Sequence, residues 1–307
     1  MFINEFKDWL LEDGRSKETL RSYEATLKDL ISWYEETVGD EFDPREISSK
    51  DLQDYRSFLE TVRKQKPTTV NKKVAALKTY WTFLVETDRV QTDPTRKVKM
   101  KSISTLHVAP RWLTRREQAR LIDVMEMEKK DETPSHKWKR LRDLAMAQMM
   151  LQAGLRIAEV AALNLDDLDM KHPRDKTVIV RQGKGGKFRP IPMNKDLANA
   201  LNSWLEVRGE SKDGDEAVFL SERKTRITDR GIRKALDKYF RMADIDNASP
   251  HCLRHTFAKN VLDLGGEKQL TYVKFLLGHE NINTTQRYLT PSEKELRRAT
   301  ESISSER

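Results

Sequence analysis

Between Asp93 and Pro110 the chain loses the apolar rhythm found on either side of it, and this interruption constrains the fold more than any other feature. The stretch carries Pro94 and Pro110 with Arg96, Lys97, Lys99 and Lys101, and its apolar residues are not spaced to bury a face, so it reads as a linker. The 307 residues then divide into two folding units, 1–92 and 111–307, each of ordinary domain size.

The first unit reads as helical throughout. Phe2, Phe6, Trp9 and Leu10 recur at helical spacing, and a second segment opening at Ser16 places Leu20, Tyr23, Leu27, Leu30, Ile31 and Tyr34 on one stripe. A third follows Ser48 or Ser49 with Leu52, Tyr55, Phe58, Leu59 and Val62. Pro67 suits the first turn of a fourth, continued by Val70, Val74, Leu77, Trp81 and Leu84. Four such helices make one bundle.

In the second unit Thr114 and Glu117 have capping-box spacing ahead of Ala119, Leu121, Ile122 and Met125. Helical patterns follow over Trp138–Gln152 and Ile157–Leu163. The period then changes to two at Thr177–Arg181 and Lys187–Ile191, across the Gly- and Lys-rich turn Gln182–Gly186, which predicts a β-hairpin. Helices resume over 197–207, 228–242, 251–264 and 270–277, and more weakly around 284–288. The fold class expected is mainly α with a small β-sheet in the C-terminal part.

Charge narrows the function. The net formal charge is +8 with a pI near 9.3. Residues 1–60 carry 8 basic and 16 acidic side chains, residues 61–105 carry 11 and 3, and the excess of +8 returns after residue 106. A basic belt from Arg63 to Lys101 is what a polyanion-binding surface requires, although a solvated helix face has the same composition. No apolar run approaches the length of a membrane span, and the start lacks a signal-peptide pattern, so no membrane association is expected. Cys252 is the one cysteine, which rules out an internal disulfide and fits a cytoplasmic protein.

Four short patterns carry the chemistry. In Ala153-Gly-Leu-Arg-Ile-Ala-Glu159, a glycine ends one helix and Arg156 and Glu159 open the next, three apart, as an ion pair or as part of a site. Gly183-Lys-Gly-Gly-Lys-Phe-Arg189 is either a flexible turn or a phosphate contact, and it lacks the spacing of a P-loop. Ser249-Pro-His-Cys-Leu-Arg-His255 puts His251 and Arg254 in the first turn of a helix, where anions are favoured. His251 and His255 have zinc-pair spacing, but no glutamate stands at the general-base position and no third ligand is evident, so no metal site is expected. Finally, Leu276-Leu-Gly-His279 precedes Tyr288 by nine positions, and a tyrosine there is ordinarily a packing residue.

Together these patterns resemble the tyrosine recombinase (integrase) family, with the size and layout of its small Xer-like members. The resemblance implies an N-terminal four-helix SAM-like core-binding domain (1–92), a linker (93–110) and a mixed α/β catalytic domain (111–307) whose C-terminal tail contacts a neighbouring subunit. No further domain is expected before the bundle, unlike integrases that bind distant arm-type sites. Its catalytic residues fall on Arg156, Lys184, His251, Arg254, His279 and Tyr288.

In the chemistry so implied, Tyr288 attacks a DNA phosphate and holds the strand as a 3′-phosphotyrosine, passing through a Holliday junction without metal, ATP or other cofactor. Arg156 and Arg254 neutralise the transition state, and Lys184 protonates the leaving 5′-oxygen. His251 and His279 bind the non-bridging oxygens, with His251 placed to take the Tyr288 proton. Glu159 orients a catalytic residue, Lys72, Lys73, Lys78, Lys187 and Arg189 contact the DNA backbone, and Cys252 packs. The expected partner is a double-stranded recombination site bound by a homo-tetramer, monomeric or dimeric when free, in the cytoplasm on the nucleoid. A type IB topoisomerase-like enzyme and a non-catalytic DNA-binding regulator are the alternatives. The DNA sequence recognised, and the choice among chromosome-dimer resolution, phage integration or excision and transposon movement, are left open.

Overall fold

The computed structural model describes residues 2–102, 110–128, 130–172, 175–181, 188–278, 285, 288–289 and 300–301. They form two compact units, 1–105 and 106–307. Both are mainly helical, and the second also holds a small antiparallel sheet.

The first unit consists of α1 (Ile3–Glu12), α2 (Lys17–Val38), α3 (Ser49–Thr61) and α4 (Pro67–Glu86). Local chemistry sets their starts. The Ser16 hydroxyl accepts from the Thr19 N–H, Ser48 and Asp51 cap each other reciprocally, and Pro67 occupies the first turn of α4, where an N–H would have no partner. The apolar stripes meet in a core containing Phe6, Leu27, Leu52, Tyr55, Tyr80, Trp81 and Leu84.

The segment expected as a linker begins inside this unit. Pro94–Lys97 forms a 3-10 turn started by Asp93, with Thr95 and Val98 buried. Ser49 donates to the Pro94 carbonyl, Arg56 donates to the Lys99 carbonyl, and the Asn71 amide bonds both the N–H and the C=O of Lys101. Side chains of α3 and α4 thus supply the partners that an extended strap without its own ladder lacks.

The second unit contains α5 (Arg115–Glu126), α6 (Pro134–Gln152), α7 (Ile157–Ala162), β1 (Leu168–Asp169), β2 (Thr177–Arg181), β3 (Phe188–Pro192), α8 (Lys195–Arg208), α9 (Asp229–Met242), α10 (Pro250–Asp263) and α11 (Leu270–Leu277). Buried nearly all round, α6 is the central helix; Met146, Met149, Met150 and Leu151 pack there with Trp204 of α8 and Leu236 of α9. The hairpin appears as β2 and β3, with Val178 opposite Ile191 and Val180 opposite Arg189, and the two-residue β1 adds a third strand that periodicity did not suggest. The turn between β2 and β3 lies outside the described residues, as do the tail after Leu289, save Thr300 and Glu301, and most of the helix expected around 284–288.

Candidate functional site

Gly154 builds the site. It follows α6 with φ +67°, a conformation that costs a side-chain-bearing residue about 1–2 kcal/mol. A Cβ there would also lie 2.5 Å from the Phe257 ring and 2.8 Å from Leu277. The close approach lets the Gly154 carbonyl accept from Arg254 Nη1, so the start of α7 and the first turns of α10 are joined directly.

Three guanidiniums meet one carboxylate at this junction. Glu159 accepts from the Arg156 N–H and Nη1, both at 2.7 Å, and from Arg189 Nη1 and Nη2 at 3.1 and 2.9 Å. Arg254 Nη1 lies 3.6 Å from the same carboxylate, and its Nη2 donates to the Leu277 carbonyl at 2.7 Å. Burial alone would raise the Glu159 carboxyl, but the hydrogen bonds and charge of Arg189 and then Arg156 outweigh it and hold the group ionised below its ordinary range. Burial, followed by the charge of Arg156, brings Arg254 down to about 10. The Arg156 side chain is 40% exposed, and among the described residues its Nε and Nη2 make no hydrogen bond.

His251 and Arg254 stand in the first turns of α10. His251 is solvent-exposed, and its pKa is lowered by partial desolvation and then by the charges of Arg233 on α9, Arg254 and Arg156. The neutral imidazole, which can accept a proton, is therefore favoured. Tyr288 is only 3% exposed, and its hydroxyl hydrogen-bonds with His255 Nδ1 at 2.8 Å.

The structure thus brings Arg156, Glu159, His251 and Arg254 to one place, with Tyr288 held against His255 on the next turn of α10. Lys184, Lys187 and His279 lie outside the described residues. Arg189, expected as a backbone-phosphate contact, is instead found buried and engaged within the protein. Its side chain is 4% exposed, and its donors are occupied by Glu159 and by the Leu276 carbonyl, reached by Nε at 2.9 Å. Lys73 also departs from a free DNA contact, because its ammonium lies 2.6 Å from Asp29, a carboxylate that also accepts from Tyr55 at 2.6 Å and from Arg63. Lys72 is exposed and Lys78 half-buried. Cys252 is buried, as a packing residue is.

The sequence patterns did not single out Arg233 beside His251, and they weighed His255 only as half of a zinc pair rather than as a partner of Tyr288. Helical spacing sets His255 one turn from His251, but its partner lies 33 residues away. Among the described residues no three His, Cys, Asp or Glu side chains converge as a metal site would require, and no helix is long and apolar enough to cross a membrane.

Comparison with known proteins gives the class. The family model described as "Phage integrase family" matches residues 111–295, and "Phage integrase, N-terminal SAM-like domain" matches residues 3–88. The chain belongs to the phage integrase family of tyrosine recombinases and is a site-specific recombinase enzyme. It is similar to Tyrosine recombinase XerC of Roseiflexus castenholzii, at 33% identity over 243 residues, 76% of this chain and 72% of the relative. Tyrosine recombinase XerC of Thermodesulfovibrio yellowstonii is 30% identical over 295 residues, covering 94% and 89%. The structure of XerH site-specific recombinase bound to palindromic difH substrate, a post-cleavage complex, shares the fold with a TM-score of 0.72 at 18% identity, over 92% of this chain and 78% of that one.

Proposed function

We propose that the chain cleaves and rejoins DNA at a specific site through a 3′-phosphotyrosine on Tyr288, exchanging strands by way of a Holliday junction and using neither metal nor ATP. The Tyr288 oxygen forms a bond to phosphorus while the bond from phosphorus to the 5′-oxygen breaks. His251 accepts the phenolic proton, and the departing 5′-oxygen takes one from Lys184. Arg156 and Arg254 stabilise the charge that builds on the non-bridging oxygens, with His279 as a further donor, and Glu159 and Arg189 hold the two arginines in place. Because the phosphotyrosine conserves the energy of the broken linkage, the reverse attack reseals the strand.

The observation that carries this reading is the convergence of three arginines on Glu159, beside a helix whose next turn holds the hydroxyl of Tyr288. In its support, the DNA named with the XerH structure belongs to a relative of the same fold. The duplex is held in part by Lys72, Lys78 and Lys187, with residues 1–92 acting as a clamp, 93–110 as linker and 111–307 as the catalytic domain. The active assembly is a homo-tetramer on paired sites on the nucleoid, to which the tail after about Pro291 contributes a subunit contact.

The test is a suicide duplex that traps the covalent intermediate. Tyr288→Phe should abolish the adduct while retaining DNA binding, and an adduct that survives refutes the assignment. Relaxation of supercoiled DNA lacking any specific site would favour the topoisomerase alternative, whereas junctions formed on paired sites favour recombination.

A further inference from the structure

Tyr288 sits among Phe257, Ala258, Leu262, Val273 and Leu277, in a small cluster between α10 and α11. At 3% exposure its hydroxyl cannot meet a phosphate arriving from solvent, so the ring must leave this packing before it reacts. A phenol buried to this degree needs a partner for its polar end, since an unsatisfied hydroxyl costs more than the bond is worth. His255 provides one, with Nδ1 2.8 Å from the oxygen and the two rings tilted by 52° at 5.6 Å between centroids. The rings are not stacked: the apolar cluster packs the tyrosine ring, and the imidazole nitrogen fixes where the oxygen points.

The helical register makes this contact more than a satisfied core pair. His255 lies four residues after His251 and one after Arg254 on the same rigid helix, so the hydroxyl is held about 6 Å along the axis from the turn that bears His251. We propose that His255 is the positioning residue of Tyr288: its hydrogen bond keeps the phenol withdrawn in the protein free of DNA, packed in the apolar cluster between α10 and α11. The inference rests on the reading of Tyr288 as nucleophile. It predicts that the ease of releasing Tyr288 is set at residue 255.

The experiment acetylates the full chain, without DNA, using N-acetylimidazole and follows each tyrosine by peptide mass spectrometry. Tyr272, 61% exposed, is the internal reference. In the wild-type chain Tyr288 should react far more slowly than Tyr272. His255→Phe keeps an aromatic ring but removes the hydrogen-bonding nitrogen, and should raise the Tyr288 rate about fivefold, the factor expected for one hydrogen bond of ordinary net strength. His255→Asn carries an amide near the position of Nδ1 and should return the rate to the wild-type value; His255→Leu replaces the Phe variant if that one does not fold. A Phe or Leu variant as slow as wild type, or an Asn variant as fast as Phe, overturns the proposal. Acetylation does not depend on cleavage, so failure here is distinct from an adduct surviving Tyr288→Phe.

Discussion

Glu159→Ala is the most informative single change, because it strips the shared carboxylate from three guanidiniums at once. Arg189 is the decisive loser. It is 4% exposed, and Glu159 takes two of its donors, leaving it, among the described residues, only the Leu276 carbonyl once the carboxylate is gone. Removing one partner of a buried ion pair costs about 3–5 kcal/mol, since the other charge stays buried and uncompensated. For a unit of this size that corresponds to a fall of about 10 °C in melting temperature. Glu159→Gln keeps the shape and one acceptor and should lose about 1–3 kcal/mol. Calorimetry on the full chain should show the loss in the transition of residues 106–307, with that of residues 1–105 unmoved. If stranded charge is the cause, Glu159→Gln combined with Arg189→Met should be more stable than Glu159→Ala. The same carboxyl is held below its ordinary range, so its contribution is complete above the unfolded value near 4.5 and is lost as pH falls through the lower folded value. A Glu159→Ala chain within about 1 kcal/mol of wild type at neutral pH, or a double variant no better than it, would refute the reasoning.

Other expectations follow from the same geometry. Gly154→Ala must adopt φ +67° and drive a methyl into Phe257 and Leu277, so the melting temperature of residues 106–307 should fall by several degrees and adduct formation on a suicide duplex should fall with it. Glutamine at Lys72 and Lys78 should reduce the slope of log affinity against log salt by about 0.9 for each phosphate that is no longer neutralised, as read by DNA binding across a salt series. Lys73→Gln should instead lower the stability of residues 1–105, because Lys73 is engaged with Asp29. Removing the cation in Arg233→Ala should raise the pKa of His251, so the acid limb of the cleavage–pH profile should move to higher pH; an unmoved limb would mean that His251 is not the group titrating.

Helix placement was legible because the signals are local: Ser16, Ser48, Thr114 and Pro67 mark their own helix starts, and each apolar stripe repeats within a few residues. The roles of charged side chains were not, because their partners lie far along the chain. Lys73 flanks the stripe of Val70, Val74 and Leu77 on α4, but Asp29 is 44 residues away on α2. Arg189 could have been read better. Strand alternation makes Phe188 69% exposed and turns Arg189 inward on the same face as Ile191, and a charged residue at an inward strand position demands a buried counter-charge. Glu159 was the candidate, already placed beside Arg156.

That correction also explains how the pocket can suit the chemistry proposed for it. Among the described residues, with Arg189 counted in, three guanidiniums against one carboxylate leave two positive charges rather than one. A phosphodiester brings a single negative charge, and attack by a phenolate adds a second as the pentavalent state forms. The surplus therefore matches the transition state better than the bound substrate, which is the condition under which binding energy accelerates a reaction instead of only tightening association. Without Arg189 the described arginine–glutamate cluster would by itself balance only the ground state. Arg189→Met in the Glu159→Gln background also leaves two charges, so stable protein from that double variant should keep measurable cleavage, whereas Arg189→Met alone, with Glu159 retained, should lose more of the cleavage rate than of DNA affinity.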